Sequence, residues 1–179
     1  MSKRLAVPLL AVLALLVLAI PAFAAGVFGF THLTGSQEVP ARATLAQGQA
    51  NFWLSDNGDT LYYRLNTANI ENVFQAHIHL APAGVNGPIV AWLYPSAPPA
   101  QLIPGRSDGV LATGAITADD LVGPLAGMPL SALLDAIAAG NTYVNVHTND
   151  PVDPPNTGPG DFPGGEIRGQ INDRNQRDG

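Results

Sequence analysis

Eight short segments of alternating apolar and polar residues, separated by glycine, proline and asparagine, constrain the fold of this 179-residue chain more than any other feature. Alternation with a period of two is typical of strands that bury one face, and the separating residues are typical of turns. The predicted strands are 28–33, 49–55, 60–65, 72–80, 88–94, 110–116, 143–148 and 166–171. The pattern predicts an all-β protein.

Local signals refine this prediction. The dipeptide Asn57-Gly58 between the second and third segments is a strong indicator of a β-hairpin. Within the predicted domain, residues 130–139 break the alternating pattern with apolar residues at helical spacing, and Thr117, followed by acidic residues, is typical of a helix N-cap. We therefore expect an antiparallel β-sandwich of Greek-key type, with one or two short helical insertions around residues 118–139.

The first residues indicate export. Lys3 and Arg4 precede an apolar run, 5–20, and the sequence Ala22-Phe23-Ala24 fits a signal-peptidase cleavage pattern. A retained membrane anchor is the alternative, but a spanning helix needs about 20 apolar residues. We predict a signal peptide at 1–24 and a secreted or extracytoplasmic protein, in the periplasm or at the cell surface.

The mature chain is predicted to be one β-domain, 25–171, followed by a polar tail, 172–179. Without Lys3 and Arg4 the basic residues fall from 8 to 6 against 14 acidic ones, so the net charge is about −8. Such a surface repels nucleic acid and anionic membranes, which excludes both as partners of the processed chain. Because the chain has no cysteine, it must be held together by packing alone.

Three of the four histidines fall in two predicted strands. His77 and His79 lie two residues apart in the fourth strand, and His147 lies in the seventh. Because side chains alternate along a strand, His77 and His79 share one face, and His147 shares a face with Asn145. The residues between them are apolar, so we expect the histidines on a polar face rather than in the core.

Imidazole is a good ligand for copper and zinc. His77 and His79 are close enough along one strand to share an ion, and His147 from a neighbouring strand would supply a third ligand. The sequence therefore suggests a copper or zinc site at these three residues, if the two strands are neighbours. The alternative is that they are hydrogen-bonded or solvated members of a polar sheet face. His32 is a candidate additional ligand, or a partly buried strand residue.

Other polar residues could support such a site. Asn145 and Glu166 are candidates for orienting an imidazole through its second nitrogen, as ligating histidines usually require. Arg168 shares a face with Glu166 on the last strand, and an ordinary Glu–Arg pair is the simpler interpretation of these two. Glu38 is expected to pair with an arginine such as Arg168 or Arg42.

Five blocks in this order resemble the successive motifs of the CHRD domain family: 30–40, 76–79, 84–90, 143–148 and 165–171. The family takes its name from repeats in chordin, an extracellular antagonist of bone morphogenetic proteins, and includes single exported domains of microbes. The resemblance implies a β-rich extracytoplasmic domain and a metal-free role in binding an extracellular protein as one alternative. It implies no particular biochemical activity.

A looser similarity is to copper/zinc superoxide dismutases, which are also β-sandwiches. It rests on the order of His77-Ile78-His79, Asn145-Val146-His147 and a later arginine, Arg168. Those enzymes use a bridging histidine, a zinc loop and a disulfide, which we do not find in this sequence. We therefore expect a non-enzymatic exported module that binds copper or zinc, with a dismutase-like copper redox enzyme as the alternative.

Overall fold

The computed structural model describes residues 27–173, so the predicted signal peptide and most of the predicted tail lie outside the described residues. Each of the eight predicted segments overlaps a strand, and two of them, 60–65 and 72–80, belong to the same long strand. The strands are β1 (Val27–Thr34), β2 (Gln47–Leu54), β3 (Leu61–Leu80), β4 (Ile89–Tyr94), β5 (Ile103–Ile116), β6 (Thr142–Thr148), β7 (Ile167–Gln170) and β8 (Asn172–Asp173).

These strands form one antiparallel sheet that closes on itself. Strands β2, β1, β7, β6 and β3 are neighbours in that order, and β3 also pairs with β2, which gives a five-stranded barrel. β4 and β5 extend the sheet from β3, and β8 pairs with β1. The all-β antiparallel prediction is confirmed, whereas the Greek-key sandwich is not, because the described strands form a single sheet rather than two packed ones.

The length of β3 explains why the sheet closes into a barrel instead of forming the predicted sandwich. Its backbone enters the left-handed region at Asn69 (φ 56°) and Asn72 (φ 52°), and its register with β5 shifts on both sides of Ile70. Asparagine tolerates this conformation better than most residues, so the strand can bend there. Its first half pairs with β2 and β5, and its second half pairs with β4 and β6. One strand thus serves two parts of the barrel.

The predicted hairpin and helical insertions are confirmed, but the described residues 118–139 contain three short helical segments rather than one or two. β2 and β3 form a hairpin around Asn57 and Gly58, where Gly58 has a positive φ of 76°. Thr117 and Asp120 form a capping box at a short 3-10 helix, Ala118–Asp120. Further 3-10 helices lie at Gly35–Gln37 and Gly123–Leu125, and the α-helix α1 spans Leu130–Ala138. None of the helices described for residues 27–173 is long and apolar enough to cross a membrane.

The predicted polar tail, 172–179, begins as part of the sheet rather than after it. Asn172 and Asp173 form β8 and pair with Phe30 and Gly29 of β1, so the sheet extends two residues into the segment assigned to the tail. Pairing with an existing strand satisfies backbone groups whatever the polarity of the side chains. The rest of the tail lies outside the described residues.

Both faces of β6 are buried. The predicted histidine site therefore lies in the interior of the protein rather than on an open sheet face. Val144 and Val146 lie in the apolar core, together with Ile78 of β3. Tyr143 and Asn145 point to the opposite face, which is also buried. That second face is covered by loops, whose backbone groups bond to His79, Tyr143 and His147.

Candidate metal centre

The strands that carry the three histidines are direct neighbours. β3 and β6 pair antiparallel, with His77 opposite Asn145, His79 opposite Tyr143, and His147 opposite Gln75. The condition set by the sequence is therefore met. We call the side chains of His77, His79, Tyr143, Asn145 and His147 the polar layer.

The three imidazoles converge. One nitrogen from each of His77, His79 and His147 lies within 4.8 Å of the others, and His77 Nδ1 is 3.2 Å from His147 Nε2. Two nitrogens bound to one ion at about 2.1 Å are about 3.4 Å apart at a tetrahedral angle, so a rearrangement of about 1 Å would bring all three onto one ion. The predicted meeting of three imidazoles is confirmed.

Backbone carbonyls fix the protonation of two rings. His79 Nδ1 lies 2.9 Å from the Gly87 oxygen, and His147 Nδ1 lies 2.8 Å from the Pro163 oxygen. A carbonyl only accepts a hydrogen bond, so Nδ1–H must be the donor and the lone pair of each neutral ring is on Nε2. This is the arrangement usual for metal-ligating histidines, whose second nitrogen is held by a partner.

The protonation of the third ring, His77, follows from that of the other two. Because His147 Nε2 carries a lone pair, His77 Nδ1–H donates to it, and the lone pair of His77 is on Nε2. Nε2 of His77 and Nε2 of His79 are buried and have no hydrogen-bond partner among the described residues. Buried polar atoms normally have partners, so these two nitrogens are suited to receive a ligand.

Burial keeps the imidazoles neutral. Desolvation, followed by the fields of His147 and His79, lowers the pKa of His77 to about 2. Desolvation likewise lowers the pKa of His147 to about 4, although its bond to Pro163 opposes this, and it lowers the pKa of His79. At neutral pH all three rings are uncharged, which is the form of imidazole that binds metals.

Aromatic rings line the trio. Trp92 of β4 stands edge to face with His77 at a centroid distance of 4.3 Å, and Phe74 lies 6.1 Å from His147. Tyr143 stacks on His79 at 4.8 Å with an angle of 8° between the rings. These contacts restrict ring rotation and keep water away from the nitrogens.

The loop 81–88 is held tightly over the polar layer. Gly84 has a positive φ of 77°, and a Cβ at Gly87 would collide with the Leu80 carbonyl. Gly87 also donates its N–H to Tyr143 Oη at 3.2 Å. The close approach that only glycine allows therefore positions the Gly87 carbonyl that holds His79.

Glu166 supports the site through the loop after β6. Its carboxylate accepts hydrogen bonds from Thr44 Oγ1 (2.6 Å), Thr148 Oγ1 (2.7 Å) and the Gly160 N–H (2.9 Å), and it is fully buried. The sequence suggested that Glu166 orients an imidazole directly, but none of these partners is a histidine. The loop it anchors is the one whose Pro163 carbonyl holds His147.

Asn145 and Glu38 form a buried pair beside the trio. Asn145 donates Nδ2–H to Glu38 Oε1 at 3.1 Å, and its own Oδ1 is buried without a partner. Burial raises the pKa of Glu38 to about 7, against the opposing effects of the Asn145 hydrogen bond and the charges of Arg168 and Arg42. The expected pairing of Glu38 with an arginine is thus an electrostatic attraction, and its hydrogen bond goes to Asn145.

The sequence comparisons now identify the domain. A sequence model of the CHRD domain matches residues 30–171, which is most of the chain and includes every residue of the polar layer. The chain belongs to the CHRD domain family. A search of curated proteins and a search of solved structures each gave no match.

Arg168 occupies an unexpected place in this CHRD domain. Its side chain is only 1% exposed, and its guanidinium lies 3.4 Å from the centre of the Tyr143 ring. It donates to Asn86 Oδ1 (3.2 Å) and to the carbonyls of Pro82 (3.3 Å) and Val85 (2.9 Å). The Glu166–Arg168 pair suggested by the sequence is therefore not formed, and Arg168 instead ties the loop 81–88 to the polar layer.

His32 does not join the site. It lies on β1 opposite Gln49 of β2, and its side chain is exposed. The next residue along β1, Leu33, points into the core instead. His32 is a candidate additional ligand that does not belong to the group of His77, His79 and His147 whose nitrogens converge.

Two contributors were not assigned to the site from the sequence. Trp92 is the partner of His77 across β3 and β4, and Pro163 supplies the carbonyl that holds His147. Trp92 lies in a predicted strand at a position that alternation alone could have placed on the histidine face. No sequence signal marks Pro163, because its role depends on where its backbone carbonyl points.

Proposed function

We propose that this CHRD domain is an exported, non-enzymatic protein that binds one transition-metal ion, copper or zinc, through His77, His79 and His147. The observation that carries the proposal is the convergence of three buried neutral imidazoles within 4.8 Å, two of them held by backbone carbonyls. A histidine that serves only packing has no need of an unpartnered buried Nε2, yet His77 and His79 each have one.

Metal analysis of the purified protein tests this. We expect about one equivalent of copper or zinc per chain, and loss of that binding in the triple variant His77→Ala, His79→Ala, His147→Ala. His32→Ala is the matched control, because it removes a histidine outside the site. If the triple variant binds metal as well as the wild type does, the proposal is wrong, and a metal-free interaction module becomes the better explanation.

Burial favours binding over catalysis. A dismutase-like reaction requires a small anion to reach the ion, yet His77 is 0% exposed and Arg168 is 1% exposed. Arg168 lines a cleft of about 280 Å³ together with Glu38 and Gln170, but none of the three histidines lines it. We therefore expect copper-loaded protein to show no superoxide dismutation above that of the triple variant.

Export is supported by the signal-peptide pattern at 1–24, and the rest of the chain is acidic and contains no lysine. The same composition suits an acidic extracytoplasmic protein that meets metal ions or extracellular proteins rather than nucleic acid. Mass spectrometry of the processed protein tests this, with a mature chain beginning at Ala25 as the expected result. Recovery of an uncleaved chain in the membrane fraction would contradict it.

A further inference from the structure

The three-histidine site supplies ligand nitrogens without any negative charge. Among residues 27–173, the group of side chains that could hold an ion consists of His77, His79 and His147, and no carboxylate belongs to it. The chain has no cysteine to act as a thiolate. Neutral imidazole ligands leave the full charge of the ion uncompensated.

The two buried glutamates near this region are committed elsewhere. Glu38 accepts its hydrogen bond from Asn145, and Glu166 accepts hydrogen bonds from Thr44, Thr148 and Gly160. Neither carboxylate contacts an imidazole by a hydrogen bond. An ion at the histidines would therefore lack the direct charge neutralisation that divalent ions usually receive in buried sites.

A buried positive charge further disfavours a highly charged ion at the histidines. The Arg168 guanidinium lies 3.4 Å from the centre of the Tyr143 ring, and Tyr143 stacks on His79 at 4.8 Å. Arg168, Tyr143 and His79 thus form one stack, with a fixed cation at one end and a metal ligand at the other. The repulsion between this cation and a bound ion is proportional to the charge of that ion.

The cost of burying an ion rises with the square of its charge, and its repulsion by Arg168 rises in proportion to that charge. We infer that the site, given the proposed metal-binding function, is selective for monovalent copper, Cu(I), over Zn(II) and Cu(II). Its surroundings agree, since a zinc ion on three histidines takes water as its fourth ligand, whereas here Trp92 and Phe74 pack against the histidine rings and offer no lone pair. Asn145 Oδ1, which is buried and unpartnered, could add only a neutral fourth ligand.

Competition with chromogenic chelators tests this selectivity. Cu(I) is measured without oxygen against bathocuproine disulfonate, and Zn(II) and Cu(II) are measured against chelators of known affinity. We expect Cu(I) to bind at least about a thousandfold more tightly than Zn(II). If no ion binds more tightly than it does to the triple histidine variant, the proposed function fails. If Zn(II) or Cu(II) binds as tightly as Cu(I) and the triple variant loses it, the proposed function stands and the selectivity inference is overturned.

A charge-swap variant tests the reason for selectivity. Glu38→Gln combined with Asn145→Asp keeps an amide and a carboxylate in hydrogen-bond contact, but moves the carboxylate to the position opposite His77. We expect the preference for Cu(I) over each divalent ion to fall at least about tenfold. The Cu(II)/Cu(I) potential should fall by about 59 mV for each tenfold change. Glu38→Gln alone is the matched control, and an unchanged preference in a folded charge-swap variant contradicts the inference.

Discussion

The two faces of the β3–β6 pair are equally buried and chemically opposite. Ile78, Val144 and Val146 point into a core of aliphatic side chains, where each contact is non-directional. His77 and His147 point the other way, into a layer where hydrogen bonds with fixed partners determine each ring position. The first face is closed by strands of the barrel, and the second is closed by the loops 81–88 and 158–165.

This difference separates stability from specificity. An apolar face tolerates some exchange of one hydrophobic side chain for another, because burial depends mainly on area and volume. A buried polar face tolerates little, because an unpaired group has a large desolvation cost. We therefore expect substitutions on the apolar face to reduce stability and leave the metal site intact, and substitutions on the polar side to change pH dependence and metal binding.

The largest expected effect on stability is on the apolar face. Ile78→Ala removes a fully buried side chain between His77 and His79 and should lower the free energy of unfolding by about 4 kcal/mol. Urea denaturation monitored by circular dichroism measures this. Metal stoichiometry of the folded fraction should remain that of the wild type. A loss of stoichiometry without a loss of stability would show that the two faces are not separable.

The next largest expected effect on stability comes from Glu38, and it depends on pH. Its folded pKa of about 7 lies above the ordinary 4.5, so the folded state holds this proton between pH 4.5 and 7 while the unfolded state loses it. The stability that the protonated carboxyl provides is therefore complete below about pH 4.5 and is lost as the pH rises through 7. The loss amounts to about 3 kcal/mol, because one pKa unit corresponds to about 1.4 kcal/mol.

Glu38→Gln keeps the acceptor for Asn145 but does not titrate. We expect the stability of this variant, minus that of the metal-free wild type, to increase by about 3 kcal/mol between pH 4 and pH 8. The depressed pKa values of His77 and His147 act in the opposite direction, making both proteins more stable as the pH rises toward 6.5, and they cancel in this difference. Parallel stability curves for the two proteins would contradict the assignment of a raised pKa to Glu38.

A smaller effect is expected at Tyr143. Tyr143→Phe keeps the stack on His79 and the contact with Arg168, but removes the oxygen that accepts the Gly87 N–H. We expect a loss of about 1 kcal/mol in unfolding free energy and a modest weakening of metal binding, because Gly87 holds His79. Calorimetric titration with the bound metal, together with denaturation, measures both. Unchanged metal affinity would show that the Gly87 carbonyl is positioned without the tyrosine hydroxyl.

The smallest effect should come from His32. It is exposed on β1, so His32→Ala should change the unfolding free energy by less than about 0.5 kcal/mol and leave metal binding unchanged. The same two measurements apply. A reduction in metal stoichiometry would mean that His32 takes part in binding although it lies outside the polar layer.

Local features of the fold were predictable because they depend on neighbours in sequence. The Asn57-Gly58 hairpin, the Thr117 cap and the alternation that puts His77 and His79 on one face all belong to this class. The barrel was not predictable, because its closure depends on the bend at Asn69 and Asn72 that lets β3 pair with both β2 and β6. The segments 60–65 and 72–80 were predicted as separate strands, and nothing in the sequence indicated that both belong to β3.

The candidate site shows the same limit. The residue types and shared faces of His77, His79 and His147 follow from the sequence, but their meeting joins positions 70 residues apart through strand pairing. Burial of the polar face, the role of Glu38 and the enclosure of Arg168 depend on loops that pack over the sheet. Such packing involves backbone carbonyls, and these are present at every residue and leave no trace in the sequence.

Residue types and their local order thus fix the strand content, the alternation of faces, the three histidines and the family. Tertiary structure alone decided that β3 and β6 are neighbours, that their polar face is buried, and that backbone carbonyls leave lone pairs on the histidines. The two levels differ in range, because alternation and turn preferences act within a few residues, whereas pairing and burial depend on the free energy of the whole folded chain.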